Sequence, residues 1–321
     1  MTIDQPSHPR WIVEACQDED EEELRALFAL CFGHAISHDF WQWKYGQGRG
    51  LGIVARENGK IIASINDRAR KLSYFGDEVP GGFLGDVMVA PKARGILSRR
   101  GPIFLVTSGL IGNYYGYHKK RLVGAGFPNE RAMRVAELLG FYAEVDTMLA
   151  LHWPPQRLPS FTHTLAPFNP HAPNAATIDA LWNRMKKDLQ ASVLGFRDWQ
   201  YLQHRYWRHP EYSYHVYGVY RRLSKHPLAL LVIKEQADRI DIMDVVASLG
   251  DLPTAMEAAR RFFKKPLYCW MTQSHAHYFA KSNPIMTPLG IRIPANAYSD
   301  GPKPETLRGK WWLTMGDTDD L

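Results

Sequence analysis

The chain has 321 residues, of which 45% are hydrophobic and 22% charged, with a formal net charge of +6. This composition excludes a disordered chain and suits about two domains of roughly 150 residues each. The three cysteines, Cys16, Cys31 and Cys269, have no disulfide or metal-ligand spacing, and no run approaches the roughly 18 apolar residues of a membrane span. We expect a cytoplasmic protein without a metal or a membrane anchor, whose modest basic excess permits an anionic partner.

Six prolines between positions 154 and 173 divide the sequence. Neither a helix nor a central strand persists through such a segment. We therefore predict a first domain over residues 1–152, a Pro-rich linker over 153–175 and a second domain over 176–321.

An amphipathic helix is predicted near the start of the first half. Leu24, Leu27, Phe28 and Cys31 recur at helical spacing, and the acidic residues before them suit the first turn of a helix. The acidic run is therefore interpreted as a helix start.

Strands follow this helix. Asn58-Gly59 joins two β-rich runs and is a strong hairpin signal. Further strands are expected near residues 70–75 and 85–89. The remaining predicted elements are a helix at 102–117, a strand at 121–124, a helix at 129–139 and a strand after 140.

The second half repeats this order of elements. Arg205-Tyr206 corresponds to Lys44-Tyr45, and Asp244-Val245 corresponds to Asp86-Val87. Two weakly similar halves indicate a duplicated domain, although a chance alignment of two ordinary α+β domains gives the same pattern. The fold class predicted is α+β, with two tandem domains that each contain a mostly antiparallel sheet flanked by helices.

Only the first half has the segment PKARGILSRRG between a strand and a helix. Backbone N–H groups at a helix start bind anions, and glycine allows the close approach of a phosphate. The alternative interpretation of this segment is a solvated turn. If phosphate binds to this chain, we expect it to bind here.

The first half resembles the GNAT acyltransferase superfamily across residues 11–150. The resemblance depends on Pro91, Arg94-Gly95, Asn129 and Gly140-Phe141 in their order of strands and helices. The tail KWWLTMGDTD also looks like the final strand of tandem members. The resemblance implies two GNAT-like domains, of which the second lacks the cofactor loop, and acetyl-CoA or another acyl-CoA as cofactor.

The resemblance also implies positions for the site. Met88 and Val89 would lie on the strand that pairs with the pantetheine arm, and Asn129 would lie near the coenzyme. Asp86 is the best candidate to take the amine proton, although strand alternation directs it away from Val89 unless a bulge intervenes. The residues implied for the diphosphate are Arg94, Gly95, Ile96, Leu97, Ser98, Arg99, Arg100 and Gly101.

The sequence departs from the family pattern at two places. Leu97 and Arg99 occupy the places of two small residues in the loop, with Gly101 further on. Ala136 stands where the family has its general-acid tyrosine, which leaves water or a tyrosine to protonate the departing thiolate. The candidate tyrosines are Tyr114, Tyr115 and Tyr117.

Three aromatic residues of the first half are candidates for the acceptor site. Trp41, Trp43 and Tyr45 alternate two apart, as on a half-buried strand face. They are predicted to lie either in the core or in the wall of an acceptor pocket between the halves.

The function predicted is acyl-CoA-dependent N-acylation, with acetyl-CoA as the first choice of donor. The acceptor would be a primary amine of a small molecule or a sugar precursor. A related transferase that uses aminoacyl-tRNA and a catalytically silent GNAT-like binding module are the alternatives, and nucleic acid is expected as a partner only in the first of them.

Overall fold

The computed structural model describes residues 10–156, 162–169 and 174–318. Within these ranges the strands lie in two sheets that are joined by helices. The strands are β1 (Ile12–Ala15), β2 (Gly50–Glu57), β3 (Lys60–Tyr74), β4 (Asp77–Val89), β5 (Val123–Ala125), β6 (Tyr142–Trp153), β7 (His163–Pro167), β8 (Val193–Gly195), β9 (His215–Arg221), β10 (Pro227–Glu235), β11 (Ile240–Ala247), β12 (Leu267–Thr272), β13 (Ile285–Asn296) and β14 (Trp311–Trp312).

The helices lie mostly between these strands, and each half contains four of them within the described residues. They are α1 (Glu21–Phe32), α2 (His38–Tyr45), α3 (Pro102–Tyr114), α4 (Glu130–Leu138), α5 (Ala175–Asp188), α6 (Trp199–Leu202), α7 (Leu252–Phe262) and α8 (Pro304–Leu307). A short π-helical turn, Gln203–Trp207, continues α6. No described helix combines the length and the apolar character needed to cross a bilayer.

The two sheets share one pattern. The first has the order β1-β2-β3-β4-β5, and the second contains the run β7-β9-β10-β11-β12. In each run only the last pair, β4 with β5 and β11 with β12, is parallel. The prediction of an α+β fold with two similar, mostly antiparallel domains is confirmed.

The two halves exchange strands. β6 follows the first half in the chain, yet it pairs with β12 and β13 of the second sheet. In return β8 pairs with β3 of the first sheet, and β14 pairs with β8. The sheets are therefore linked by backbone hydrogen bonds as well as by the chain.

A hydrophobic core lies where the sheets meet. It combines Leu72 and Phe83 of the first sheet with Val145 and Ile293 of the second, and Trp311 of β14 is fully buried among them. Burying such side chains contributes about 1.5–3 kcal/mol each. This core therefore stabilises the contact between the halves.

The predicted domain boundaries at 152 and 176 stay a prediction. β7 lies inside the segment predicted as a linker, at the edge of the second sheet. An edge strand tolerates Pro167 at its end because one side of its backbone needs no partner. Residues 157–161 and 170–173 of that segment lie outside the described residues.

Most of the predicted elements of the first half are present. The helix at 21–32 and the hairpin at Asn58-Gly59 are confirmed. The strand predicted near residues 70–75 is the continuation of β3, which runs unbroken from Lys60 to Tyr74. The strand-like alternation of Trp41, Trp43 and Tyr45 was misleading, because these residues lie on helix α2.

Candidate active site

A cavity of about 890 Å³ opens where β4 and β5 part. The two strands pair only from Gly81–Phe83 to Val123–Ala125, whereas β4 continues to Val89. The far edge of β4 over residues 84–89 therefore has no strand partner among the described residues. The cavity is walled by α1, α4, the loop after β4 and segments of the second half.

The free edge of β4 presents backbone groups to this cavity. The N–H of Ala90 donates to the carbonyl of Ile62 on β3 at 2.8 Å. Because successive N–H groups of a strand point to opposite edges, the N–H of Val89 points into the cavity. The side chain of Met88 points to the face of the sheet opposite to that of Val89, where it is fully buried against Leu24 and its neighbours in α1.

A β-bulge redirects Asp86. β3 and β4 are in register at Ser64 and Met88 but have shifted at Asn66 and Gly85, so that one residue of β3 opposes two of β4. Asp86 itself has φ of +48°, in the left-handed region. Asp86 lines the cavity together with Val89, and its role as the base stays a prediction.

Two neighbours from α2 hold the Asp86 carboxylate. Lys44 Nζ donates to Asp86 Oδ2 at 2.8 Å, and the hydroxyl of Tyr45 donates to the same oxygen at 2.5 Å. The side chains of Lys44 and Asp86 are 3% and 5% exposed, so this ion pair is shielded from solvent screening. Sequence reasoning had paired Lys44-Tyr45 with the second repeat but had not connected them to Asp86.

The loop after β4 contributes four of its predicted residues to the cavity. Arg94, Gly95, Ile96 and Leu97 line it, and Gly95 has φ of +91°. The guanidinium of Arg94 is partly used within the loop, where Nε donates to the carbonyl of Val89 at 2.8 Å. The other four predicted loop residues, Ser98, Arg99, Arg100 and Gly101, do not line the cavity.

Gly101 has a packing role. A Cβ atom on Gly101 would lie 2.0 Å from the carbonyl oxygen of Ile96, so the loop closes on itself here. Helix α3 then starts at Pro102, and its first intrahelical bond runs from the N–H of Leu105 to Gly101. The earlier N–H of Ile103, a residue that lines the cavity, is left without a helical partner.

Helix α4 forms a wall of small side chains. Asn129 lines the cavity, but its side chain caps the helix by accepting from the N–H of Ala132 at 2.9 Å. Ala132 and Ala136 leave room beside the free edge of β4. Arg131, an exposed cation at the rim of the cavity, was missed by sequence reasoning, although its place in the first turn of the helix after Asn129 was a usable signal.

The tyrosines proposed from sequence as proton donors do not line the cavity. Tyr115 is buried, and its hydroxyl donates to Asp67 at 2.7 Å. Tyr142 does line the cavity, and its hydroxyl makes no hydrogen bond within the described residues. Burial raises the pKa of Tyr142 above its usual value, which keeps its proton in place at neutral pH.

The opposite end of the cavity is polar and is built from both halves. Arg68 and Glu211 line this end, together with the ion pair of Lys44 and Asp86. Asp317 also lines it, but its carboxylate is fully buried against Arg197. Trp43 does not reach this end, because it stacks on His204 with ring centroids 5.2 Å apart.

Arginines hold the tail of the chain against this end. Arg205 donates to the carbonyls of Gly316 and Thr318 at 2.9 and 2.7 Å, and Arg68 donates to that of Asp317 at 3.1 Å. Asp317 and Thr318 thereby become part of the cavity wall.

In the second repeat, Asp244 is the counterpart of Asp86, and its surroundings are closed by other side chains. Tyr206 donates to Asp244 Oδ2 at 3.1 Å, as Tyr45 does to Asp86. Arg197, fully buried, then joins Asp244 to Asp317 of the tail through two contacts of 2.7 Å. The tail therefore covers Asp244, which is fully buried.

The described residues contain no cluster of side chains that could bind a metal ion. No three side chains of His, Cys, Asp or Glu gather there in an arrangement that could hold an ion.

The two sheets and their helices have the arrangement of two tandem GNAT-like lobes. Residues 13–102 match the family model of the acetyltransferase (GNAT) domain. The match locates a GNAT acetyltransferase domain in the first half of the chain, in agreement with the predicted resemblance and with the predicted enzyme class. No curated protein matches the sequence.

Solved structures share the fold at low sequence identity. A probable N-acyltransferase from Enterococcus faecalis has a TM-score of 0.67 and 12% identity, over 89% of this chain and 72% of that one. A GCN5-related N-acetyltransferase from Kribbella flavida has a TM-score of 0.63 and 16% identity, over 89% and 71%. N-myristoyltransferase from Saccharomyces cerevisiae, solved with bound myristoyl-CoA, has a TM-score of 0.56 and 12% identity, over 99% and 88%.

Proposed function

We propose that the protein transfers an acyl group from an acyl-CoA to a primary amine of a small molecule or a sugar precursor. One observation carries this proposal. A single cavity brings together the unpaired edge of β4, the loop over residues 94–97 and the carboxylate of Asp86. Acetyl-CoA is the donor with which the activity is tested first.

The donor fits the cavity through backbone groups. Backbone groups at the unpaired edge of β4 can form hydrogen bonds with the amide groups of the pantetheine arm, as they would with a neighbouring strand. The N–H groups around Gly95 and at the start of α3 suit the diphosphate, because an anion there is favoured by the helix dipole. Arg131 at the rim adds a cation for a phosphate.

Three groups supply the chemistry. The N–H of Val89 polarises the thioester carbonyl while the amine nitrogen attacks the carbonyl carbon. Asp86 takes the proton that the amine loses, and Lys44 and Tyr45 fix its orientation through Oδ2, which leaves Oδ1 as the accepting atom. As the C–S bond breaks, Tyr142 protonates the thiolate in place of the tyrosine that the family has at position 136.

Calorimetric titration with CoA and acetyl-CoA tests the proposal. We expect saturable binding, and we expect Arg131→Ala to weaken it several-fold because one phosphate contact is lost. Arg134→Ala is the matched control, since Arg134 lies on the same helix, pairs with Glu130 and does not line the cavity.

The absence of binding at high micromolar concentrations of both ligands would contradict the proposal. The aminoacyl-tRNA-dependent alternative would then require an affinity for RNA that falls steeply with salt. Without that affinity, the binding module is left as the remaining alternative.

A further inference from the structure

One branch of the cavity is apolar, in contrast to the polar end beside Asp86. This branch, here named the apolar arm, lies between the end of α1, the segment that leads into α2, and β4. Its side chains are those of Phe28, Cys31, Phe32, Ala35, Ile36 and Val87.

The apolar arm begins beside the residue that polarises the thioester. Cys31 Sγ lies 3.4 Å from the carbonyl oxygen of Val89, and α1 packs on β4 along this contact. Phe28 and Phe32 continue the wall, with ring centroids 4.6 Å apart. A group attached to the thioester carbonyl therefore has the arm directly in front of it.

Large apolar side chains are left uncovered in this branch. Phe32 is 46% exposed and Val87 is 42% exposed, and both face the same cavity. Apolar surface that stays in contact with water forgoes the free energy of burial, and a patch of this kind inside a cavity marks a ligand site.

The chemistry of the arm excludes the amine acceptor. His34 stands at its rim, where it packs on Phe28 at 5.3 Å between ring centroids and turns Nδ1 to the carbonyl of Ala35. The charged groups that suit an ammonium lie at the other end of the cavity, at Asp86 and Glu211. The arm thus favours a hydrocarbon group of the donor.

We propose that the apolar arm binds the hydrocarbon chain of an acyl donor longer than acetyl. The inference rests on the proposed function, because the arm is placed relative to the thioester. The acyl chain leaves the carbonyl beside Val89, passes Cys31 and ends among Phe28, Phe32 and Ile36. The reaction itself is unchanged, with the amide bond formed and the C–S bond broken as above.

A chain-length series measured without acceptor tests this inference. The probes are CoA, acetyl-CoA, butanoyl-CoA, hexanoyl-CoA and octanoyl-CoA, each titrated by calorimetry. Each added methylene that is fully buried is expected to raise the affinity up to about fourfold until the arm is filled.

Variants separate the arm from the rest of the site. Ala35→Phe is expected to fill the arm, so that CoA and acetyl-CoA bind as before while the gain with chain length is lost. Ala35 is exposed, and a melting curve checks that the variant folds. Ala237→Phe, at an exposed alanine in a loop outside the cavity, is the matched control and is expected to keep the full gain.

The outcomes distinguish the two proposals. If CoA binds but the affinity does not rise with chain length, or if Ala35→Phe keeps the full gain, the arm does not hold the acyl chain and the proposed function stands. If neither CoA nor any thioester binds, the proposed function fails and takes this inference with it.

Discussion

Asp86 has a backbone conformation that non-glycine residues seldom adopt. Its φ of +48° costs on the order of 1 kcal/mol or more, and such conformations persist where the surroundings hold them. The contacts from Lys44 and Tyr45 provide that support. Sequence reasoning selected this carboxylate, but it could not decide where the side chain points, because a one-residue bulge leaves no signature in the pattern of strand residues.

Replacing Asp86 tests its role as the base. Asp86→Asn is expected to lower kcat/KM by about 10²-fold at neutral pH, because the amine loses its proton acceptor. The loss should shrink as the pH rises and the free amine becomes abundant. The release of CoA thiol, followed with a panel of amino acids, polyamines and amino sugars, measures this profile.

Asp77→Asn is the control for that substitution, because Asp77 is an exposed residue at the first position of β4. A loss of the same size in this variant, or a loss in Asp86→Asn that does not change with pH, would show that Asp86 acts only through structure.

In the proposed reaction, Tyr142 takes the place of the proton donor that the sequence lacks at position 136. Tyr142→Phe is expected to lower kcat by at least about tenfold while the affinity for acetyl-CoA stays the same. Single-turnover kinetics together with calorimetry separate the two effects. Tyr117→Phe removes a hydroxyl from an exposed tyrosine outside the cavity wall and should leave both values unchanged.

At the scale of elements, the sequence predicted the position of the loop between β4 and α3 but not the course of its second part. Its position after the fourth strand follows from the resemblance, and residues 94–97 do line the cavity. The next four predicted residues do not, because the chain turns back at Gly101 to meet the carbonyl of Ile96. Such a closure depends on distances within a folded loop, which a pattern of Arg and Gly does not contain.

A methyl group at Gly101 should open this closure. Gly101→Ala would place Cβ 2.0 Å from the Ile96 oxygen, so the loop must shift. We expect a loss of about 1–3 kcal/mol in the free energy of unfolding and weaker binding of CoA. Gly250→Ala is the control, because nothing lies within 4 Å of its added Cβ. Unchanged stability and binding in Gly101→Ala would contradict the packing role.

Helix α2 shows a second limit of prediction at this scale. Trp41 and Tyr45 are one helical turn apart, with ring centroids 4.7 Å from each other, whereas Trp43 packs toward the second half. The helix thus buries aromatic residues on two sides. In the sequence, these residues therefore occur at every second position, as they would on one face of a strand. The contact that resolves the ambiguity is made with a segment more than 150 residues away.

At the scale of the whole molecule, the exchange of strands makes the halves depend on each other. Their similarity was visible in the sequence, in Arg205-Tyr206 and Asp244-Val245. The exchange of strands between the sheets was not visible, because the pairing partners of a strand depend on contacts with residues distant in the sequence. The domain boundaries at the proline-rich segment stay a prediction, and the sheets show in addition that β6 lies in the second sheet and β8 in the first.

His275 lies at a junction of the two sheets and gives the stability a pH dependence. Its ring nitrogens lie 3.1 Å from Ser192 Oγ and 3.3 Å from Thr272 Oγ1. Burial, with a smaller effect of His277, lowers the pKa of His275 to about 4 from its usual 6.5. The unfolded chain therefore binds a proton between these values that the folded protein does not, and stability is lost as the pH falls through this window.

We expect this histidine to account for about 2 kcal/mol of the stability lost between pH 7 and pH 5. Urea unfolding at the two pH values, compared with His275→Gln, measures it, since the variant should lose less. His226→Gln changes an exposed histidine and should keep the dependence of the natural protein. Equal losses in all three proteins would contradict the assignment.

The closed site of the second repeat has a consequence for stoichiometry. Asp244, the counterpart of Asp86, is covered by the tail and neutralised by Arg197. An open site at Asp244 would have offered CoA a second place to bind. Each polypeptide should therefore saturate with a single equivalent of CoA. The contacts of Arg197 with Asp244 and Asp317 also hold the tail where Asp317 and Thr318 form part of the wall of the first cavity.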